Sequence, residues 1–287
     1  MITFSVQAGN LHTFREALES SCTSVRFGSE FCMYDLPTEK TLIEAFRLSN
    51  DAGKGFAYVT PRVSDDALTE VSRHFEVLNR LGTVKVVVND LGTLSILRRF
   101  PNLKPQLGRQ LVYIPGRCPW LQITENPASF FAKRKVEQIF YQTALNYQPT
   151  IQFYREMGIN AADVDWIPQS FKHYKELVKR GVNLSVHVHL VPAALTRKCH
   201  TARLLGEESL DSCSKPCHSG AYKMENEALK IGLFLQGNGV FRIIEPRKKE
   251  ADQLGKIGVS ELVLTMMPIT GIQTVKDIQL VVGSLQS

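Results

Sequence analysis

Short β-branched runs alternate along this chain with longer segments whose apolar residues recur every three or four positions. Phe4–Ala8 reads as a strand, and Leu11–Ser20 as a helix with Leu11, Phe14, Ala17 and Leu18 on one face. Ser24–Gly28 is the second strand, Thr41–Ala52 a helix stopped by Gly53, and Gly55–Thr60 the third strand. Asp65–Leu81, closed by Gly82, is a long helix, and Thr83–Asn89 is the clearest buried strand. A helix at Leu91–Phe100, a strand at Arg109–Ile114 and helical segments between Pro127 and Met157 follow. Asp163–Ile167 then reads as strand, Gln169–Arg180 as helix and Asn183–Leu190 as strand. Beyond a cysteine-rich stretch, Gly232–Leu235 and Val240–Ile244 flank Gln-Gly-Asn-Gly, the signature of a hairpin. Glu250–Ile257, Glu261–Thr265 and Thr274–Leu285 resume the alternation and end it on a helix.

Eight strands separated by helices predict an α/β fold, a single (β/α)8 TIM-like barrel spanning residues 1–287. An open doubly wound sheet is the alternative. Residues 196–245 should form a cysteine-rich insertion with the small hairpin after the seventh strand. At 287 residues and 44% hydrophobic, the chain is long enough to bury one large core. The formal charge of +6 comes from basic residues that do not cluster; Arg98-Arg99, Lys133-Arg134-Lys135 and Arg247-Lys248-Lys249 are short, solvated groups. The expected partners are therefore a protein and a small anionic substrate, with no nucleic acid. No apolar run reaches membrane-spanning length and no secretory pattern opens the chain, so a cytoplasmic location with reduced cysteines is expected.

Three of the six cysteines, Cys199, Cys213 and Cys217, fall within nineteen residues in a setting too polar for core packing. Clustered thiols of this kind suit a soft metal centre. Barrel chemistry sits on loops that follow the strands, which places Cys32 at the same mouth as those three although it lies 167 positions before Cys199. Cys32 is thus the expected fourth ligand and Cys118 its rival, while Cys22 belongs to the opposite end. Spacing alone leaves an iron–sulfur cluster, zinc and disulfide pairing open. Other mouth candidates are Glu30 beside Cys32, Asn89 and Asp90 after the fourth strand, and Arg203, which could pair with a carboxylate. In Asn183–Leu190 the alternation aims both His187 and His189 into the barrel, for a ligand-facing or proton-handling role.

Val6-Gln-Ala-Gly-Asn-Leu11, Val25-Arg-Phe-Gly-Ser-Glu30, Val86-Val-Val-Asn-Asp-Leu-Gly-Thr-Leu94 and Arg197-Lys-Cys-His-Thr-Ala-Arg203 with the cysteines after it carry a resemblance over nearly the whole chain. The sequence is similar to the collagenase-like peptidase U32 family, and within it to the UbiV-type branch of oxygen-independent ubiquinone biosynthesis. That resemblance implies a 4Fe-4S cluster on the positions occupied here by Cys32, Cys199, Cys213 and Cys217. It also implies hydroxylation without dioxygen, a UbiU-like paralogue as heterodimer partner, and prephenate as oxygen donor. RNA base hydroxylation, a non-catalytic iron–sulfur scaffold and peptidase activity are the family's other readings. For the last, the chain shows neither a Gly-x-Ser-x-Gly elbow nor a His-Glu-x-x-His helix.

Overall fold

A computed structural model describes residues 2–119, 130–196, 198–207, 209–210, 213–226 and 231–286. Its strands in chain order are β1 (Thr3–Ala8), β2 (Ser24–Phe27), β3 (Gly55–Val59), β4 (Val84–Val88), β5 (Leu103–Leu107), β6 (Ala161–Asp165), β7 (Asn183–His187), β8 (Leu190–Leu195), β9 (Tyr222–Asn226), β10 (Ile231–Gln236), β11 (Gly239–Ile243) and β12 (Glu261–Met266). The helices are α1 (Leu11–Leu18), α2 (Glu39–Asp51), α3 (Asp65–Leu81), α4 (Leu91–Leu97), α5 (Phe130–Phe140), α6 (Gln148–Glu156), α7 (Phe171–Lys179), α8 (His200–Leu204), α9 (Lys248–Ile257) and α10 (Val275–Gln286).

Eight parallel strands close a barrel in the order β1-β12-β7-β6-β5-β4-β3-β2, and helices pack on its outside. Within β2, Val25 and Phe27 face the helical layer, where Phe27 meets the ring of Phe14 on α1 at 5.1 Å. The intervening Arg26 points inward. Local chemistry sets the corners: Asn10, Thr38 and Asp90 cap α1, α2 and α4 with side-chain oxygens. Gly28, at φ +125°, turns the chain out of β2 where a Cβ would stand 2.2 Å from the Val59 carbonyl oxygen. No other residue fits that turn, which aims Ser29–Asp35 across the barrel mouth.

Three expectations change. The fifth strand is Leu103–Leu107, not Arg109–Ile114. Its Pro105 is tolerated because the ladder to β6 is reduced to the pair Leu107–Ala162. The apolar residues Val112 and Ile114 that suggested a strand are buried in a loop folded over the mouth. The seventh strand ends at His187, and His189 has left-handed backbone at φ 67°, so the chain swings out of the barrel there. Finally, the small hairpin is half of a four-stranded antiparallel sheet, β8-β11-β10-β9. The β10–β11 turn at Gly237-Asn238 is as expected, but the sheet needs β8 and β9 to bury both hairpin strands. Pro127–Ser129, part of the expected helical stretch, and Asp211-Ser212, within the expected insertion, lie outside the described residues.

Candidate functional site at the barrel mouth

The barrel interior is charged rather than apolar. Arg26 donates to both carboxylate oxygens of Asp163, at 2.8 and 3.0 Å, and also to Glu261. Ser185 donates to Glu261 at 2.7 Å, Gln106 donates to Asp163, and His187 Nε2 lies 3.1 Å from Asp163 Oδ2. Burial would raise both carboxyls, but Arg26 overcomes it: Asp163 is held well below the usual carboxylate range and Glu261 falls to about 2. His187 is driven down by burial and by Arg109, against the pull of Asp163.

A second layer lies nearer the mouth. Arg109 grips Glu30 with two parallel bonds, Nε to Oε1 at 2.9 Å and Nη2 to Oε2 at 2.7 Å. Its Nη1 donates to Asp165 at 3.0 Å and to the Leu190 carbonyl at 2.6 Å, and Arg117 donates to the other oxygen of Asp165. All four of these charged side chains are buried. The three guanidiniums of the two layers thus face four carboxylates, so the interior offers no surplus positive charge.

Above these layers the cysteines gather. Cys32 follows β2, Cys199 caps α8, Cys213 precedes a left-handed turn at Lys215, and Cys217 packs its Sγ against Gly237 in the hairpin turn. Burial pushes the Cys32 thiol up to about 11, and Asp35, Cys199 and Cys213 add to the rise. Burial likewise pushes Cys217 up to about 12, with Cys32, Asp35, Cys199 and Cys213 behind it. Such mutual influence means that the four thiols share one neighbourhood. Backbone N–H groups already point at two of the sulfurs, Ala202 N at Cys199 Sγ and Lys215 N at Cys213 Sγ, each at 3.4 Å. Among the described residues no three His, Cys, Asp or Glu side chains stand close enough to hold a single metal ion.

The loop that carries Cys32 is tied to the cysteine segment by its neighbours. Lys215 Nζ and His218 Nε2 contact the two oxygens of Asp35 at 2.8 and 2.9 Å. Asn238 donates to the Phe31 carbonyl at 2.9 Å, and the Phe31 ring meets that of Phe241 at 5.0 Å. Cavities open on either side of this loop. One, of about 260 Å³, has Cys32 and Cys217 in its wall; the other, of about 510 Å³, has Cys32 and Cys199.

The remaining candidates take different places. Glu30 lines the smaller cavity with its carboxylate engaged by Arg109. Asn89 is buried and joins three strand ends, donating to the Thr60 carbonyl at 2.7 Å and accepting from Gln110 N at 3.1 Å. Asp90 caps α4 through Thr93 and borders the larger cavity. Arg203 is exposed on α8. His189 faces Glu245 at 4.0 Å, outside the barrel ladder. Cys118 donates to the Ala193 carbonyl at 3.0 Å, and Cys22 is buried just ahead of β2, at the end remote from the mouth. Sequence reading overlooked Arg26, Asp163, Asp165, Arg109, Arg117 and Glu261. The alternation that placed His187 inside β7 also places Arg26 in β2, Asp163 and Asp165 in β6, and Glu261 in β12. Arg109 and Arg117 sit on loops, where no such signal exists.

No protein-family model matches the sequence, and no curated protein matches it. Among solved structures, the U32 peptidase Mk0906 is similar at 12% identity and TM-score 0.49, over 92% of each chain. Thiamine phosphate pyrophosphorylase from Pyrococcus furiosus is similar at 10% identity and TM-score 0.45, over 100% of this chain and 97% of that one. A dihydropteroate synthase from Thermus thermophilus follows at 10% identity and TM-score 0.41, over 98% and 92%. Each likeness is weak, and the barrel assignment stands on its own strand ladders.

Proposed function

We propose that Cys32, Cys199, Cys213 and Cys217 hold a 4Fe-4S cluster and that the chain supports oxygen-independent hydroxylation of a small, ubiquinone-precursor-like molecule. In this reading it acts beside a UbiU-like partner, with prephenate as oxygen donor. The observation that carries the proposal is the approach of four thiols, from a loop after β2 and a segment after β8, at the C-terminal mouth of a barrel. The donor set fits the group. All four donors are soft sulfurs, and two already receive backbone N–H bonds of the kind that tune such centres. When bound, a cluster ligated by four thiolates supplies electrons without offering an open iron position. The protein's own residues would shape the two adjoining cavities and keep the Glu30–Arg109 pair fixed beneath them.

Anaerobic purification with iron and sulfide analysis tests the cluster. The hydroxylation is tested by turnover with the paralogous partner and prephenate. Four irons and four sulfides per chain are expected, and hydroxylated product should appear only with both added. Stoichiometric zinc without sulfide would overturn the cluster, and a loaded but inert pair would leave a scaffold role instead.

A further inference from the structure

We infer that the ion pair between Lys215 and Asp35 sets the reduction potential of the four-cysteine centre, the ammonium raising it and the carboxylate lowering it. The inference deepens the iron–sulfur reading and rests on it, and it gives the pair a role beyond fastening two loops together.

The pair stands between the two segments that carry the thiols. Lys215 lies two residues after Cys213 and two before Cys217, and Asp35 lies three residues after Cys32. The Lys215 backbone N–H points at Cys213 Sγ at 3.4 Å, while its Nζ reaches across to Asp35 Oδ1 at 2.8 Å. Both side chains are partly buried, where salt and solvent screen a charge less than at the surface. Burial would discharge the ammonium, but Asp35 keeps it charged, and Cys32 and Cys217 lie near enough to add to that hold. Asp35 in turn acts on the Cys32 and Cys217 thiols, raising each of them further than burial does. The backbone of Lys215 is a separate observation. At φ 56° it is left-handed, a conformation that favours glycine and that only His189 shares among the described non-glycine residues. Glycine would close this turn more easily, so the reason for a lysine lies in its side chain. Lys198 and Arg203, on either side of Cys199, are exposed, and their charges are screened more strongly.

Uptake of one electron adds a negative charge to a centre that four thiolates have already made anionic, with no bond of the protein broken. A fixed positive charge nearby stabilises the reduced form over the oxidised one, and a fixed negative charge does the opposite. A pair that only fastens the loops has a different signature. Removing either partner breaks the same contact and loosens the same two segments, so a purely structural effect on the potential has one sign for both. Charge gives opposite signs.

The test is a redox titration of the anaerobically purified full chain, with dithionite delivering one electron per centre and EPR reading the reduced form, on samples matched for iron and sulfide. Lys215→Met should lower the potential and Asp35→Asn should raise it, each by about tenfold in the reduced-to-oxidised ratio, or about 59 mV for one electron. Lys215→Arg and Asp35→Glu keep the charges and should stay near wild type. Shifts of one sign in the two charge-removing variants, or no shift in either, overturn the inference and leave the cluster reading standing. If Lys215→Met takes up no cluster, Asp35→Asn against Asp35→Glu decides, because only the first should rise and equal potentials overturn the inference. A wild-type chain without iron and sulfide overturns the cluster reading, and this inference falls with it.

Discussion

At the scale of single residues, position relative to the barrel mouth separates the six cysteines. Replacing Cys32, Cys199, Cys213 or Cys217 by Ala should abolish the broad visible absorbance of anaerobically purified protein, whereas Cys22→Ala should keep it. Retained colour in Cys32→Ala with loss in Cys118→Ala would mean that Cys118, not Cys32, is the fourth ligand. Because burial raises Cys32 to about 11 and Cys217 to about 12, both are neutral thiols near pH 7 and must lose protons to bind iron. Cluster reconstitution should accordingly strengthen as pH rises from 7 to 9, and a flat profile would contradict this. Below the thiols, the Arg26 guanidinium bridges Asp163 and Glu261, all three buried. Arg26→Met strands two carboxylates and should cost about 3–5 kcal/mol in urea unfolding, while a loss under 1 kcal/mol would mean that the carboxylates simply take up protons.

At the scale of elements, the loop after β2 is fastened to the cysteine segment by contacts that exist without any cluster. The ties from Asp35 to Lys215 and His218 join residues 180 or more positions apart. Asp35→Ala removes both. Hydrogen exchange in 29–35 and 213–218 should then rise, and air should bleach the cluster faster, with β1 to β4 unaffected. Unchanged exchange in both segments would show that the bond from the Asn238 side-chain amide to the Phe31 carbonyl is enough to hold the loop.

At the scale of the whole molecule, the charged interior makes folding sensitive to acid. Glu261 titrates at about 2 in the fold against an ordinary 4.5, so its contribution is complete above pH 4.5 and lost as pH falls toward 2. His74, buried against the Tyr58 hydroxyl at 2.7 Å, is lowered by burial from 6.5 to about 4. The unfolded chain takes up that proton first, so stability also falls between pH 6.5 and 4. Chemical denaturation of the cluster-free protein should show loss beginning near pH 6.5 and steepening below 4.5. A stability constant down to pH 3 would mean that neither group stays shifted.

The alternation of β-branched and amphipathic runs was enough to establish the class of fold and most strands within a residue or two, because both periodicities are local. The same parity held the inward direction of Arg26, Asp163, Asp165, His187 and Glu261, although it was read for β7 alone. Local pattern misplaced β5, where Pro105 argued against a strand and the buried loop Val112–Ile114 argued for one. It also ran β7 three residues too far, to Leu190, because His189 differs from a strand residue only in a backbone turn. Cysteine spacing brought three thiols together, but the nearness of Cys32 to them and the Arg109–Glu30 grip belong to tertiary structure. Those features depend on which distant residues the closed barrel brings face to face, and sequence separation carries no record of that.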